Sequence, residues 1–368
     1  MQVELIPPEV LVQERPLPEP EPITVPDFLT LVAVGDNLIH DSVYESAFSE
    51  GEYRFIPFYE KVKEYIEPAD IAFINQETIL GGARFGFSGY PRFNTPQEMA
   101  VALVETGFDI VNHATNHSMD KGEAGIIATM DLWDSIPEIQ YIGVRRELDV
   151  PPAVIIEKNS IRVGFLAYTY GTNGLPVPAS KPYLVSRIDT DSMAGEIDSL
   201  RPLCDVVVVS MHWGEEYQHN YNARQKSLAA FLAEHSVDIV LGHHPHVLQP
   251  VENIPRPDGG TMLCFYSLGN FLSAQSRPST LLGGIAYIKL KKFEDHITIE
   301  ESGVVPVLTH YNRNFQNFRV YPLDIYNDEA THRVILNAAV SISYFDALAE
   351  TVLGNARLKY NPFRKDVF

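Results

Sequence analysis

Two histidines spaced two apart, His244 and His246, follow a short apolar run, Ile239-Val240-Leu241, with Gly242 and His243 between run and pair and Pro245 inside the pair. A residue before proline favours extended backbone. In an extended segment, residues two apart point the same way. The expectation is that His244 and His246 present their imidazoles side by side, with His243 turned away. Neutral imidazole is the commonest metal ligand among side chains.

The same arrangement recurs along the chain. Leu29-Thr30-Leu31-Val32-Ala33-Val34 ends in Gly35-Asp36-Asn37, and Ile71-Ala72-Phe73-Ile74 ends in Asn75-Gln76-Glu77. Phe108-Asp109-Ile110-Val111 ends in Asn112-His113-Ala114-Thr115-Asn116-His117. Val206-Val207-Val208-Val209 ends in Ser210-Met211-His212-Trp213-Gly214, and Leu263-Cys264-Phe265-Tyr266 ends in Ser267-Leu268-Gly269-Asn270. Taken as one set, these tips offer Asp36, Glu77, Asn116, His117, His212, His244 and His246. Carboxylates, an amide oxygen and imidazoles, with no thiolate, suit manganese, iron or zinc. The set is large for one ion. Two ions about 3.5–4 Å apart, sharing a carboxylate, would use it and would activate water against a phosphate ester or another polarised ester or amide. Arg92, in Tyr90-Pro91-Arg92-Phe93-Asn94, is a candidate to bind an anionic substrate.

Positioning such a set requires strands that end together. Short continuous apolar runs read as strands buried on both faces. Helical stretches lie between them. Thr95-Pro96-Gln97-Glu98 reads as a capping box with proline at the first helical position, opening a helix to about Glu105. Ile126, Ile127, Met130 and Trp133 share one helical face, as do Leu228, Phe231, Leu232 and His235 after Asn222. Strands alternating with helices give an α/β architecture, and ligands gather beyond the carboxyl ends of such strands. A strand-rich stretch from Gly283 to Thr309, with a turn near Glu294-Asp295, is expected to complete a second sheet. The loop from Tyr168 to Tyr183, rich in Gly, Pro and Ser, reads as a lid or substrate loop. Val334, Ala338, Ile342, Phe345, Leu348 and Val352 mark a C-terminal amphipathic helix that stops at Gly354.

Composition bounds the partners. The 368 residues carry a formal net charge of -20, which argues against a nucleic-acid partner and against adhesion to an anionic membrane. The two cysteines, Cys204 and Cys264, sit in apolar runs and read as buried free thiols. No apolar run is long enough to span a bilayer. In residues 1–28, seven prolines alternate with glutamates. Such a segment is stiff and self-repelling and builds no core. It reads as a tether, with residues 29–368 as a single domain.

The ordered series Gly35-Asp36, Asn75-Gln76-Glu77, Asn112-His113-Ala114-Thr115-Asn116-His117 with Asp120, His212-Trp213-Gly214-Glu215, Gly242-His243-His244-Pro245-His246-Val247 and Ser267-Leu268-Gly269-Asn270-Phe271 resembles the CapA family. These are poly-γ-glutamate capsule biosynthesis proteins related to the calcineurin-like metallophosphoesterases. The resemblance covers about residues 29 to 275, with 276–368 completing the domain. It implies a metallophosphatase-like four-layer αββα sandwich, two mixed sheets flanked by helices. It implies that Asp36, Glu77, Asn116, His212, His244 and His246 are metal ligands, for one or two divalent ions of manganese, iron or zinc. His117 would be the general acid or transition-state stabiliser, with Asp120 orienting it. In the wider phosphoesterase pattern a histidine stands two residues after the first aspartate. Here Leu38 stands there, with His40 a candidate substitute, and Glu77 replaces the second aspartate. Glu215 is a further candidate beside the metals. The resemblance also implies an extracytoplasmic, membrane-tethered protein, and membrane-bound capsule synthesis proteins as partners.

Two readings of function follow. One is a metal-dependent hydrolase acting on an anionic polymer or a small phosphoester or γ-glutamyl substrate. The other is a binding or assembly subunit for poly-γ-glutamate synthesis and export, without turnover.

Overall fold

A computed structural model describes residues 27–294, 296–326 and 341–364. Residues 1–26 of the Pro/Glu stretch, together with Val334 and Ala338, lie outside the described residues. The chain begins with β1 (Asp27–Leu38), α1 (Asp41–Ala47), a short ribbon of β2 (Phe48–Ser49) and β3 (Glu52–Tyr53), and α2 (Ile56–Tyr59). Then come β4 (Ile71–Asn75), α3 (Glu98–Thr106), β5 (Ile110–Asn112), α4 (Gly122–Asp134) and β6 (Gln140–Ile142). The second half has β7 (Val154–Lys158), β8 (Ile161–Thr169), α5 (Thr190–Leu200), β9 (Val206–His212), α6 (Ala223–Glu234) and β10 (Ile239–His243). It closes with β11 (Val251–Pro255), β12 (Thr261–Phe265), β13 (Asn270–Ser273), β14 (Leu282–Phe293), β15 (His296–His310), β16 (Arg319–Pro322) and α7 (Ile342–Leu353).

The strands form two mixed sheets. The first runs β16-β15-β14-β1-β4-β5-β6, with β13 also pairing β1; the second runs β11-β12-β10-β9-β8-β7. Their central strands are parallel, so the strands that carry the polar tips all end on one side of their sheets. Alternating residues explain why the apolar runs are continuous. Val206 and Val208 of β9 enter the core shared between the two sheets, whereas Val207 and Val209 pack with Met193 and Ile197 of α5 and Leu232 of α6. In β10, Ile239 and Leu241 face inward and Val240 faces the helices. Met99 and Leu103 of α3 and Trp133 of α4 join the core of the first sheet. The layers are therefore helix, sheet, sheet, helix, as expected. Cys204 and Cys264 are buried free thiols.

Three local expectations need correction. The hairpin β14–β15 does turn at Glu294, but β14 pairs antiparallel with β1. It therefore extends the first sheet rather than completing the second. Hydrophobic pattern reports that a strand is half-buried, not which edge it joins. The capping box at Thr95 does not form. The helix starts at Glu98 with no side-chain cap, because the Thr95 hydroxyl is bonded to Thr78 Oγ1 at 2.7 Å. The box that does form is at α6, where Asn222 and Gln225 cap reciprocally. The third correction is at the histidine turn, described below.

The sheets are joined where the site lies. After β12 the chain crosses from the second sheet to the first, where β13 pairs in parallel with Asp36, Asn37 and Leu38. Glycine is required at this crossing. A Cβ on Gly35 would lie 1.9 Å from Gly269 O, and one on Gly242 would lie 2.0 Å from Tyr266 O. With hydrogens in both places, Asp36 donates its N–H to Gly269 O at 2.8 Å and the strand ends close on each other.

Candidate metal centre

Asp36 lies at a register shift near the end of β1 and is fully buried. In the first sheet, Asp36 pairs with Asn75 and Asn75 with Asn112. That register lines up their side chains. Asn112 Nδ2 donates to Asn75 Oδ1 at 2.7 Å, and Asn75 Nδ2 donates to Asp36 Oδ1 at 2.8 Å. The other Asp36 oxygen, Oδ2, lies 3.0 Å from His246 Nδ1. His246 Nδ1 is also 3.1 Å from Asn270 Oδ1 at the start of β13. Burial raises the Asp36 carboxyl, but the His246 hydrogen bond and charge, with His243 and Asn75, outweigh it and leave the group below its usual range.

Glu77, two residues beyond β4, stands between two histidine groups. Its Oε2 is 3.8 Å from His246 Nδ1, and its Oε1 is 3.7 Å from His212 Nε2 at the end of β9. Asn116 Oδ1 lies 3.0 Å from the same His212 nitrogen. The rings of His212 and His244 are 4.9 Å apart, and those of His244 and His246 are 5.8 Å apart. Ligand atoms of Asp36, Glu77 and His246 all lie within 4.8 Å of one another, and the same holds for Glu77, His212 and His244. The six residues expected as ligands are thus brought together, with Glu77 common to both groups.

His244 and His246 are adjacent, but not because the chain is extended there. His244 has φ 94° and His246 φ 59°. Such angles are uncommon outside glycine, and residues held in them cluster at functional sites. The turn is fixed by its surroundings. Tyr217 N–H donates to Pro245 O at 2.8 Å, and the His244 N–H reaches the Asp36 carboxylate at 3.3 Å. His243 does not turn away. It is fully buried, stacks on Phe73, and its Nδ1 is 3.8 Å from Asp36 Oδ1.

The donor set fits divalent cations. Both Glu77 oxygens, and Nδ1 of His212 and of His244, are buried with no hydrogen-bond partner among the described residues. An unpaired buried carboxylate is costly, and burial together with the charges of Asp36, Glu216 and Asp120, against the opposing pull of His246, pushes the Glu77 carboxyl well above its usual range. Burial holds His244 down at about 3, and burial with the neighbouring histidines holds His212 well below its ordinary value. Both imidazoles are therefore neutral at physiological pH, the form that ligates metal. His246 is opposite in sense. Burial lowers it, but Glu77 and Asp36 raise it further, to about 9.

His117 is oriented from behind. Its Nδ1 is 2.8 Å from Asp120 Oδ2, which also accepts the Phe93 N–H at 2.6 Å. The Phe93 ring meets the imidazole edge-on at 4.6 Å. With Nδ1 tied to a carboxylate, Nε2 is the nitrogen left to act. Arg92 is exposed and lines a cavity of about 390 Å³ with Phe85, Met119, Asp120, Lys121 and Leu175. A larger cavity of about 550 Å³ is lined by Trp133, Arg145 and Arg146 and by none of the proposed ligands.

Two further candidates lie off the centre. His40 is outside both ligand groups. Its Nδ1 is within 3.1 Å of Leu38 O, and its ring packs on Phe93. Glu215 is exposed and accepts a bond from Asn222 Nδ2 at 3.4 Å. Leu38 is buried in the position where the wider pattern has histidine. The structure adds residues that spacing did not single out. Tyr170 lays its ring 4.6 Å from that of His244, and Asn173 Oδ1 accepts from Asn116 Nδ2 at 3.3 Å. Both come from the loop after β8, which reaches the site. Composition marked that loop without indicating which of its residues would matter.

Residues 30–275 match the family described as Bacterial capsule synthesis protein PGA_cap. The chain is 31% identical over 201 residues to the PGA biosynthesis protein CapA of Bacillus subtilis (strain 168), covering 54% of this chain and 51% of that protein. It is 30% identical over 237 residues to the capsule biosynthesis protein CapA of Bacillus anthracis, covering 61% of this chain and 55% of the other. The chain thus spans about half the length of these curated relatives. Among solved structures it is similar to the calcineurin-like phosphoesterase YfkN of Bacillus subtilis, with TM-score 0.45 and 16% identity over 77% of this chain and 91% of that one. It is also similar to a 5'-nucleotidase precursor of Thermus thermophilus, with TM-score 0.46 and 14% identity over 76% and 54%.

Proposed function

The chain belongs to the Bacterial capsule synthesis protein PGA_cap family, and on that premise we propose that it is a metal-dependent hydrolase acting in capsule or cell-envelope metabolism. One observation carries the reading. Glu77 is fully buried, has both oxygens unpartnered, and belongs to two ligand groups at once. There it would serve as a carboxylate shared between two cations. Asp36, Glu77 and His246 would hold one ion, and Glu77, Asn116, His212 and His244 the other. When bound, such ions activate water and neutralise charge that develops on the scissile group. The amide row Asn112-Asn75 holds the Asp36 carboxylate, which would then be ready to ligate. His117, with Nδ1 held by Asp120, would offer the Nε2 proton to the leaving group. Arg92 and Lys121, beside Asp120, would meet an anionic part of the substrate. Manganese, iron or zinc would serve. The curated relatives are named for capsule and PGA biosynthesis. Their names support a role in capsule metabolism; beyond them, the proposed site would act outside the cytoplasm on a phosphoester or γ-glutamyl bond, beside membrane-bound capsule synthesis proteins.

The test begins with metal content of protein purified without chelators, beside an Asp36→Ala, His244→Ala double variant. One or two equivalents of transition metal are expected in the parent, with none in the variant, and turnover of phosphoester or γ-glutamyl amide probes lost with the metal. No metal after supply of manganese, iron and zinc, or equal turnover in both proteins, would overturn the reading. The second reading, a subunit that binds without turnover, is favoured by Leu38, which leaves the Asp36 group one histidine short. It predicts metal without turnover.

His117 is expected to act on the chemical step alone. His117→Ala should lower kcat by about 10²–10⁴, the usual worth of a general acid, with metal content unchanged. Asp120→Asn should lower kcat less and shift its pH profile, since it alters only the partner of Nδ1. A proportional loss of metal in either variant would make these residues structural.

A further inference from the structure

Glu216 and Glu215 are neighbours on the loop after β9, both exposed, on a chain of net charge -20. An exposed acid on such a surface is ordinarily a solvated charge. The two differ in what they face. Glu215 turns to Asn222 at the start of α6. A carboxylate oxygen of Glu216 lies within 4.8 Å of ring nitrogens of both His244 and His246. Those two histidines belong to different ligand groups, His244 with Glu77 and His212, and His246 with Glu77 and Asp36. No Lys or Arg among the described residues pairs with Glu216 in an ion pair that would account for its position.

The loop is held in place there. Tyr217 has φ 66° and donates its N–H to Pro245 O at 2.8 Å, which fastens the loop to the histidine turn. The guanidinium of Arg277 lies 4.0 Å over the Tyr217 ring, and Gln275 Nε2 reaches the Tyr217 hydroxyl at 3.5 Å. Gln275 Oε1 in turn accepts from Asn270 Nδ2, and Asn270 Oδ1 is the group beside His246 Nδ1. A connected rim therefore runs from the buried ligand His246 to the residue next to Glu216. An independent observation points inward from the site. His244 Nδ1 is buried and has no hydrogen-bond partner among the described residues.

We propose that Glu216 is a further metal ligand, a second carboxylate joining the two ligand groups from the solvent side as Glu77 joins them from within. The proposal rests on the metal reading above and extends it. Charge supports it. The buried set supplies only two carboxylates, Asp36 and Glu77, and bound divalent ions are the largest charges in such a site. A third carboxylate at the mouth brings the count closer to balance and supplies the Asp36 group with a neighbour where Leu38 supplies none. Manganese, iron and zinc all accept carboxylate with imidazole.

The experiment is calorimetric titration of manganese, and separately zinc, into the full chain stripped of metal. The parent is compared with Glu216→Gln and with the adjacent Glu215→Gln. Glu216→Gln is expected to lose one equivalent or to bind about tenfold more weakly or worse, since losing even an outer partner of a ligand costs about 10–100-fold. Glu215→Gln should match the parent. Equal stoichiometry and affinity in Glu216→Gln and the parent would overturn the proposal while leaving the buried site intact. A parent that takes up neither metal would overturn the metal reading itself, and the two failures are told apart by the parent titration. Both positions are exposed, so thermal midpoints of the stripped proteins should agree and exclude misfolding as the cause.

Discussion

Glu77→Gln is expected to make the metal-free protein more stable and the metal-loaded protein inactive. Glu77 is fully buried with both oxygens unpartnered. A buried group left without a partner costs about 1–3 kcal/mol, more when charged. Glutamine keeps the shape and carries no charge to desolvate. In chelator-treated protein the variant should gain stability in denaturant unfolding, because burial and like charge at Glu77 outweigh the attraction of His246, less the cost of an equally unpartnered amide. The loss appears when metal is added. Metal bound only by the folded state stabilises it by mass action, and the parent should show this rise while the variant shows little of it. Turnover should fall about 10³-fold or more, because Lewis-acid stabilisation is worth several kcal/mol and each 1.36 kcal/mol is tenfold. The idea fails if the variant is less stable than the parent without metal and equally stabilised with it. Opposite signs in the two conditions distinguish a functional carboxylate from a structural one.

The second large effect concerns acid. Burial holds His113 and His244 at about 3 and His40 and His243 at about 4, and holds His212 well below its ordinary 6.5. The unfolded chain therefore binds these protons first as pH falls. Each histidine contributes stability that is present above about 6.5 and lost as pH drops toward its folded value. Glu77 has the opposite sense. Its carboxyl is raised above 4.5, so its contribution is present below that pH and declines as pH rises. Near pH 5, five histidines less Glu77 leave about four protons taken up on unfolding, or ~5.5 kcal/mol per pH unit at ~1.4 kcal/mol each. Against a total stability of ~5–15 kcal/mol, chelator-treated protein should unfold cooperatively between about pH 6 and pH 4. His246, raised to about 9, contributes in the other direction, and its share is lost as pH climbs through that value. Stability should thus peak near neutrality. Denaturant unfolding at a series of pH values measures the slope, and a flat profile from pH 7 to pH 5 would contradict the burial of these imidazoles. Metal affinity should fall as pH drops below about 9, because His246 must give up its proton to ligate while His212 and His244 are already neutral.

What was legible in the sequence was what burial dictates. A strand covered on both faces must be apolar throughout, so its polar end stands out, and Asp36, Glu77, Asn116, His212, His244 and His246 were found that way. The amide row was half visible. Asn75 and Asn112 were read as strand tips, but only the register Asp36-Asn75-Asn112 shows that they support one carboxylate. Loop residues were not legible. Glu215 and Glu216 are indistinguishable by type, and only the fold shows that the first meets Asn222 and the second the histidines. The positive φ angles of His244 and His246 were hidden for a similar reason. They are imposed by Asp36 and Tyr217, contacts that no local pattern contains. The edge that β14 occupies could not be read from its own residues, because its partner β1 lies at the other end of the domain.

That pairing bears on how the protein is made. One edge of β1 is covered by β14 as far as Val34 and by β13 from Asp36 onward. Val34 meets Ile285, about 250 residues later. A ribosome that has released β1, β4 and β5 has exposed a long apolar strand whose second neighbour is not yet synthesised. Contacts so distant along the chain are slow to form, and unpaired edges invite aggregation in the meantime. On this topology the nascent N-terminal half would be protected only once β13 and β14 are made. A fragment ending at residue 275, where the family match stops, would keep every proposed buried metal ligand and still leave β1 open along Asp27–Val34.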